Sequence, residues 1–133
     1  MKKYWVLIVL GIIIVIGAVL YFIINNKNIN DGSLEYEILD QNDFITGNND
    51  ETIRGYEIVE KDNYYYLIIY HGEEPTSFDD LKVLSVGIRK EHVTVEVQLP
   101  VGGIGDAFSY PKAQIRFNKM PKNVKIIHKP MAE

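Results

Sequence analysis

His71, Ser77, Asp79 and Asp80 fall within ten residues of one another, and a serine, a base and an orienting carboxylate are the parts of a hydrolytic triad. Triads are defined by geometry rather than by proximity in sequence, and a polar loop of this composition is ordinary. The expectation is therefore a solvated loop and no catalytic residue. A surface hydrolase using Ser77 or Ser109 is the alternative from a different class. Metal binding needs converging ligands. The three histidines, His71, His92 and His128, are far apart in sequence, with no i, i+4 pair and no cysteine beside them. Glu73, Glu74, Asp79 and Asp80 lack the alternating oxygen ligands of a calcium loop. No metal and no cofactor is expected. The absence of cysteine also removes disulfides, a thiol nucleophile and a thioether lipid anchor.

Two stretches stand out as candidates for recognition, His71 to Ser77 (HGEEPTS) and Pro100 to Pro111 (PVGGIGDAFSYP). Gly102, Gly103 and Gly105 allow backbone shapes and close approaches that side chains would block. A phosphate cradle would lead into a helix N-terminus, whereas a strand pattern follows here, which leaves a long turn or a protein-binding loop. Strand hairpins close with two to five residues, and both stretches are longer than closure requires. The expectation is that they gather at one end of the domain. There Pro75 would set a rigid turn, Phe78 would serve as an apolar anchor, and the glycines would let a partner backbone approach. The candidate protein-binding residues are Gly72, Glu73, Glu74, Pro75, Thr76, Phe78, Gly102, Gly103, Gly105 and Tyr110.

The elements that must position these loops read as strands. From Leu34 onward, short apolar runs of period two alternate with turn residues. The predicted strands are Leu34 to Leu39, Tyr56 to Glu60, Tyr64 to Tyr70, Leu81 to Arg89, His92 to Leu99, Ala113 to Asn118 and Val124 to His128. Lys61 to Asn63 and Lys90 with Glu91 are the expected hairpin turns, and one helical turn is expected near Asp50 to Arg54. Tyr64, Tyr65 and Tyr66 alternate between faces, so packing across strands is the simpler account of them, with an exposed member as a possible anchor. The fold class is mostly β, a small antiparallel sandwich or barrel on an N-terminal transmembrane helix.

That helix is Tyr4 to Ile24, 21 residues without a charge and aromatic at both ends, long enough to cross a hydrocarbon core of about 30 Å. Lys2 and Lys3 precede it and only Lys27 follows closely, which predicts a cytoplasmic N-terminus and an extracytoplasmic C-terminal domain. A cleavable signal peptide, cut after Ala18, is the less favoured reading. Residues 1–24 then form the cytoplasmic tip and signal anchor, 25–33 a flexible linker, and 34–130 the β domain. Charge divides along the chain: Asp31 to Asp80 carries fourteen acids against Arg54 and Lys61, whereas Leu81 to Glu133 carries nine bases against four acids. Interleaved strands would neutralise most of this difference. The basic half lacks the aromatic interleaving of a single-strand binder and is placed outside the cell, so nucleic acid is not expected; no small-molecule substrate is expected either.

The run GYEIVEKDNYYYLIIYHGEEPT from Gly55 to Thr76, and GGIGDAFSYPKAQIRF ending at Phe117, resemble the C-terminal domain of the bacterial PrcB family, which is associated with surface protease complexes. The shared features are Gly72, Glu73, Pro75 and Thr76 in a turn, then Tyr110 and Pro111 leading into a strand. Ser77, Phe78 and Asp79 stand where that family continues with two glycines and a tyrosine. A weaker similarity links Pro75, Thr76 and the glycines at 102 to 105 with chagasin-like inhibitors of cysteine proteases. The first resemblance implies a non-enzymatic protein that assists or modulates an exported protease, which the signal anchor would hold as a single-pass protein at the bacterial cell surface. The third alternative is a structural envelope protein with no link to a protease.

Overall fold

The computed structural model describes residues 2–25, 29–101, 103 and 105–131. One helix, α1 (Lys2–Asn25), precedes seven strands: β1 (Tyr36–Ile38), β2 (Gly55–Lys61), β3 (Tyr64–Tyr70), β4 (Lys82–Arg89), β5 (His92–Gln98), β6 (Lys112–Phe117) and β7 (Asn123–His128). α1 is apolar and long enough to cross a membrane, and its Lys3–Leu20 stretch is not buried against the rest of the chain. The side chains of that stretch therefore face outward all round, as a helix that keeps its apolar surface for a non-aqueous medium would require.

The strands make two sheets. One has the order β1-β6-β3-β2 and the other β4-β5-β7. Side-chain alternation explains how the sheets meet. Leu67 and Ile69 of β3 with Ala113, Ile115 and Phe117 of β6 face Val86 and Ile88 of β4 with Val93, Val95 and Val97 of β5, in one buried cluster. The opposite face of β3 is closed by the chain between β1 and β2. There the buried Gln114 amide accepts from Ile45 N at 2.9 Å and donates to Ile45 O at 2.8 Å, supplying both halves of a strand pairing from one side chain. Leu67, Ile68 and Ile69 are accordingly buried on both faces. Tyr66 and Tyr70 are buried as well, Tyr65 packs at the edge of the core, and Tyr64 lies under the Arg116 guanidinium at 4.4 Å.

The mostly β expectation holds, with one pairing of a different kind. β5 and β7 run parallel, in register from His92↔Asn123 to Val97↔His128. The reason is positional: β6 ends beside the start of β5, and residues 118–122 cross between the sheets at that end, so β7 must begin where β5 begins. Both hairpin turns form where expected, with Asp62 and Asn63 and then Lys90 and Glu91 at positive φ, the type I′ geometry of two-residue loops. A 3-10 turn at Gln41–Asp43 was not foreseen, while the turn at Asp50 is a single one closed by Ile53 N on Asp50 O. The two halves of the chain do exchange charge, through Lys112 with Glu51 and Arg116 with Glu37.

The stretch expected to be a flexible linker is corrected in part. Its residues Asn26, Lys27 and Asn28 lie outside the described residues, but Ile29 to Ser33 is bonded to the β4–β5 hairpin. Ile88 N donates to Ile29 O at 2.7 Å and Asp31 N to Ile88 O at 3.1 Å. Asp31 Oδ2 accepts from Lys90 N at 2.6 Å, and Ser33 Oγ accepts from Glu91 N at 2.8 Å. A polar, turn-prone sequence does not have to be loose when its side chains can cap the amides of a neighbouring turn. The Ser33 hydroxyl, followed by the Lys90 amide, holds the Asp31 carboxyl down at about 2. Ile29 to Ser33 is thus tied to the hairpin-turn end of the sandwich. His71 to Leu81 and Leu99 to Pro111 emerge at the other end, a β5 length or about 20 Å away.

Candidate functional site

The two candidate loops are joined. Glu74 and Ser109 form an antiparallel bridge, with Glu74 N donating to Ser109 O at 2.9 Å and Ser109 N to Glu74 O at 3.0 Å. The Ser109 hydroxyl completes the clip by donating to Thr76 O at 2.6 Å and accepting from Phe78 N at 3.1 Å. His71 N donates to Pro111 O at 3.0 Å, Glu73 N to Thr52 O at 3.2 Å and Tyr110 OH to Glu73 Oε1 at 3.4 Å. Gly72 is buried at φ +100, where a side chain would be strained. Glu73 and Pro75 are exposed; Glu74 and Thr76 are half-buried. The loops therefore form one continuous lip.

Two details differ from the sequence reading. Phe78 does not project as an anchor, because it packs against the core cluster. The close backbone approach permitted by Gly103 is used within the chain, since a Cβ there would come within 2.7 Å of Phe78 Cζ and 2.6 Å of Thr76 Oγ1. Gly105 has φ +87 with open space around it, while Gly102 lies outside the described residues. Among the described residues, the apolar groups of these loops that face outward are Val101, 67% exposed, and Phe108, 62% exposed, with Tyr110 at the boundary. Neither Val101 nor Phe108 stood out in the sequence, since a single apolar residue in a loop gives no periodic signal.

Behind the lip lies a cleft of about 440 Å³ lined by residues including Arg54, His71, Phe78, His128 and Met131. His71, just after β3, and His128, the last residue of β7, are distant in sequence and expected to be solvated, yet their ring centroids lie 6.0 Å apart. The His71 Nε2–Glu74 Oε1 distance is 2.6 Å, so Nε2 carries the proton donated to the carboxylate. Arg54 Nε donates to His71 O at 2.9 Å. Its Nη2 stands 3.3 Å from both ring nitrogens, a position against the ring and in line with neither lone pair. Burial, then the nearby Arg54 and His71, lower the His128 imidazole to about 4, and its Nδ1 is shielded from water with no protein partner among the described residues. His128 is neutral at pH 7.

Of the groups considered for catalysis, Ser77 and Asp79 are exposed and the others have partners. His71 is paired with Glu74, Ser109 with the backbone of Thr76 and Phe78, and Asp80 Oδ1 accepts from Lys112 N at 3.3 Å. Burial, with Asp79 and Glu51 nearby, raises the Asp80 carboxyl against the pull of Lys112. Among the described residues no group of three or more histidine, aspartate or glutamate side chains could hold a metal ion. Compared with known proteins, the chain matches no family model, no curated protein and no solved structure.

Proposed function

We propose that this chain is a membrane-anchored, extracytoplasmic protein-binding module that uses the joined loops to engage an exported protease and assist or modulate it. The observation that carries the reading is the Glu74–Ser109 bridge, which joins the two loops, the second carrying the exposed Val101 and Phe108, at the end of the sandwich opposite the β4–β5 hairpin. Exposed apolar side chains on a braced loop can serve as anchors for a partner. The cytoplasmic placement of the N-terminus rests on Lys2 and Lys3, and the choice of a protease rests on the sequence resemblance at Gly72 to Thr76 and at Tyr110 with Pro111.

The test is cross-linking of the full-length protein in its own cells. Changing Phe108 to alanine together with Val101 to serine should weaken capture of the same partner about tenfold, or about 1.4 kcal/mol, with little change in stability. Thr94→Ala on β5, exposed and away from the lip, should leave capture intact. Equal capture by the lip variant, or a captured partner with no protease in its complex, would refute the corresponding half of the proposal. Protease added to wall-stripped cells should degrade the region after Ser33, and protection of that region would refute the orientation.

A further inference from the structure

We infer that the cleft behind the lip is a receptor for a carboxylate carried next to an apolar side chain on a peptide. This rests on the reading that the loop end binds a protein, and it assigns chemistry to the partner. The lining supplies two cations, Arg54 and Lys129, beside the apolar surfaces of Phe78, Leu99 and Met131. Arg54 is already held in place by its Nε bond to His71 O, and its Nη1 has no partner among the described residues. A pinned guanidinium loses little rotamer freedom on binding, and its fork matches a carboxylate. Lys129 Nζ lies 3.6 Å from Glu96 Oε1, a long contact that leaves the ammonium charge able to reach a ligand.

The carboxylate in the lining, Glu74, is turned toward His71, with Oε1 at 2.6 Å from Nε2. The His128 imidazole is lowered first by burial and then by the nearby Arg54 charge, and that guanidinium faces the same cleft. The outer lip has the opposite sign. The Tyr110 phenol is raised by burial and then by Glu73, Glu51 and Asp50. A strongly acidic segment would therefore be repelled at the rim, whereas a single carboxylate beside an apolar residue would pass within a Debye length, about 8 Å, of both fields and gain from the inner one. A chain terminus and an aspartate side chain offer the same group.

The experiment uses the full chain in detergent micelles and three labelled peptides read by fluorescence anisotropy: acetyl-Gly-Gly-Leu-Phe with a free terminal carboxylate, the same peptide as its terminal amide, and acetyl-Gly-Asp-Leu-Phe amide. At least one carboxylate peptide should bind tenfold or more tighter than the neutral amide, and which one does so identifies the source. Arg54→Ala should abolish the preference. Because that change also frees His71 O, Met131→Asp at the exposed rim provides a variant with no folding role, and it should reduce the preference at least fivefold with an unchanged melting temperature. Equal binding of the acid and amide forms, or a preference that survives both substitutions, overturns the inference. Partner capture that persists while peptide preference is absent overturns the cleft alone. Peptide preference that persists in the Phe108 and Val101 variant while partner capture is also unchanged overturns the lip reading and spares the cleft.

Discussion

The backbone of Gly103 lies so close to the Phe78 ring that a methyl group on Gly103 would sit 2.7 Å from Cζ and 2.8 Å from Cε2. Phe78 in turn packs on the core, so the second loop is seated on the first through this contact. Gly103→Ala should destabilise the domain by about 1–3 kcal/mol, the usual range for overpacking. Phe78→Leu, which removes the ring tip, should recover part of that loss in the double variant, measured as non-additive urea midpoints. Additive effects would show that the glycine is needed for some other reason.

Ser109→Ala tests the clip between the loops. It strands the half-buried Phe78 amide and removes a bond to Thr76 O. A cost of about 1–3 kcal/mol is expected, together with faster hydrogen exchange of the Phe78 and Glu74 amides. Ser77→Ala, at an exposed neighbouring site, should do neither.

Lys90 and Glu91 occupy φ of 51 and 64, a region that suits asparagine and glycine. Replacing the pair by Asn-Gly should raise stability by about 0.5–1 kcal/mol, even though the exposed Lys122–Glu91 contact at 3.3 Å is lost. A fall in the urea midpoint would mean that Glu91 contributes more than its geometry indicates.

His128 sets a pH dependence. Its imidazole is at about 4 when folded against 6.5 in its ordinary state, so the unfolded chain binds the proton more readily. The contribution to stability is complete above about pH 6.5 and is lost as pH falls toward 4. Urea midpoints of the full chain should therefore drop between pH 7 and pH 4.5, and His128→Asn should flatten that drop. An unchanged slope in the variant would assign the effect to other groups.

Much of the fold could be read from the sequence because its signals are local. The Val93–Leu99 alternation, the Tyr64 to Tyr70 run and the two turns each follow from neighbours within a few residues, and their strands formed within two residues of the predicted ends. The site was less legible. Its two loops were found from their length and glycines, but the pairing of His71 with His128 depends on the parallel placement of β7, which no local pattern encodes. Phe78 and Phe108 are both phenylalanines in loops, and only tertiary packing makes one a wedge and the other an exposed group. Ile29 to Ser33 looked like a linker because capping by Asp31 and Ser33 acts on amides almost sixty residues away.

The attachment of Ile29 to Ser33 at one end of β4 also has a mechanical meaning. A pull on the lip, resisted at α1, would be directed along β4 and β5, whose ladder bonds lie across the strands. Such a load strains the rungs together as shear, without peeling them one at a time. The same domain tethered beside the lip would open like a zip. The point of attachment thus sets the sandwich to carry an end-to-end load as shear between its strands.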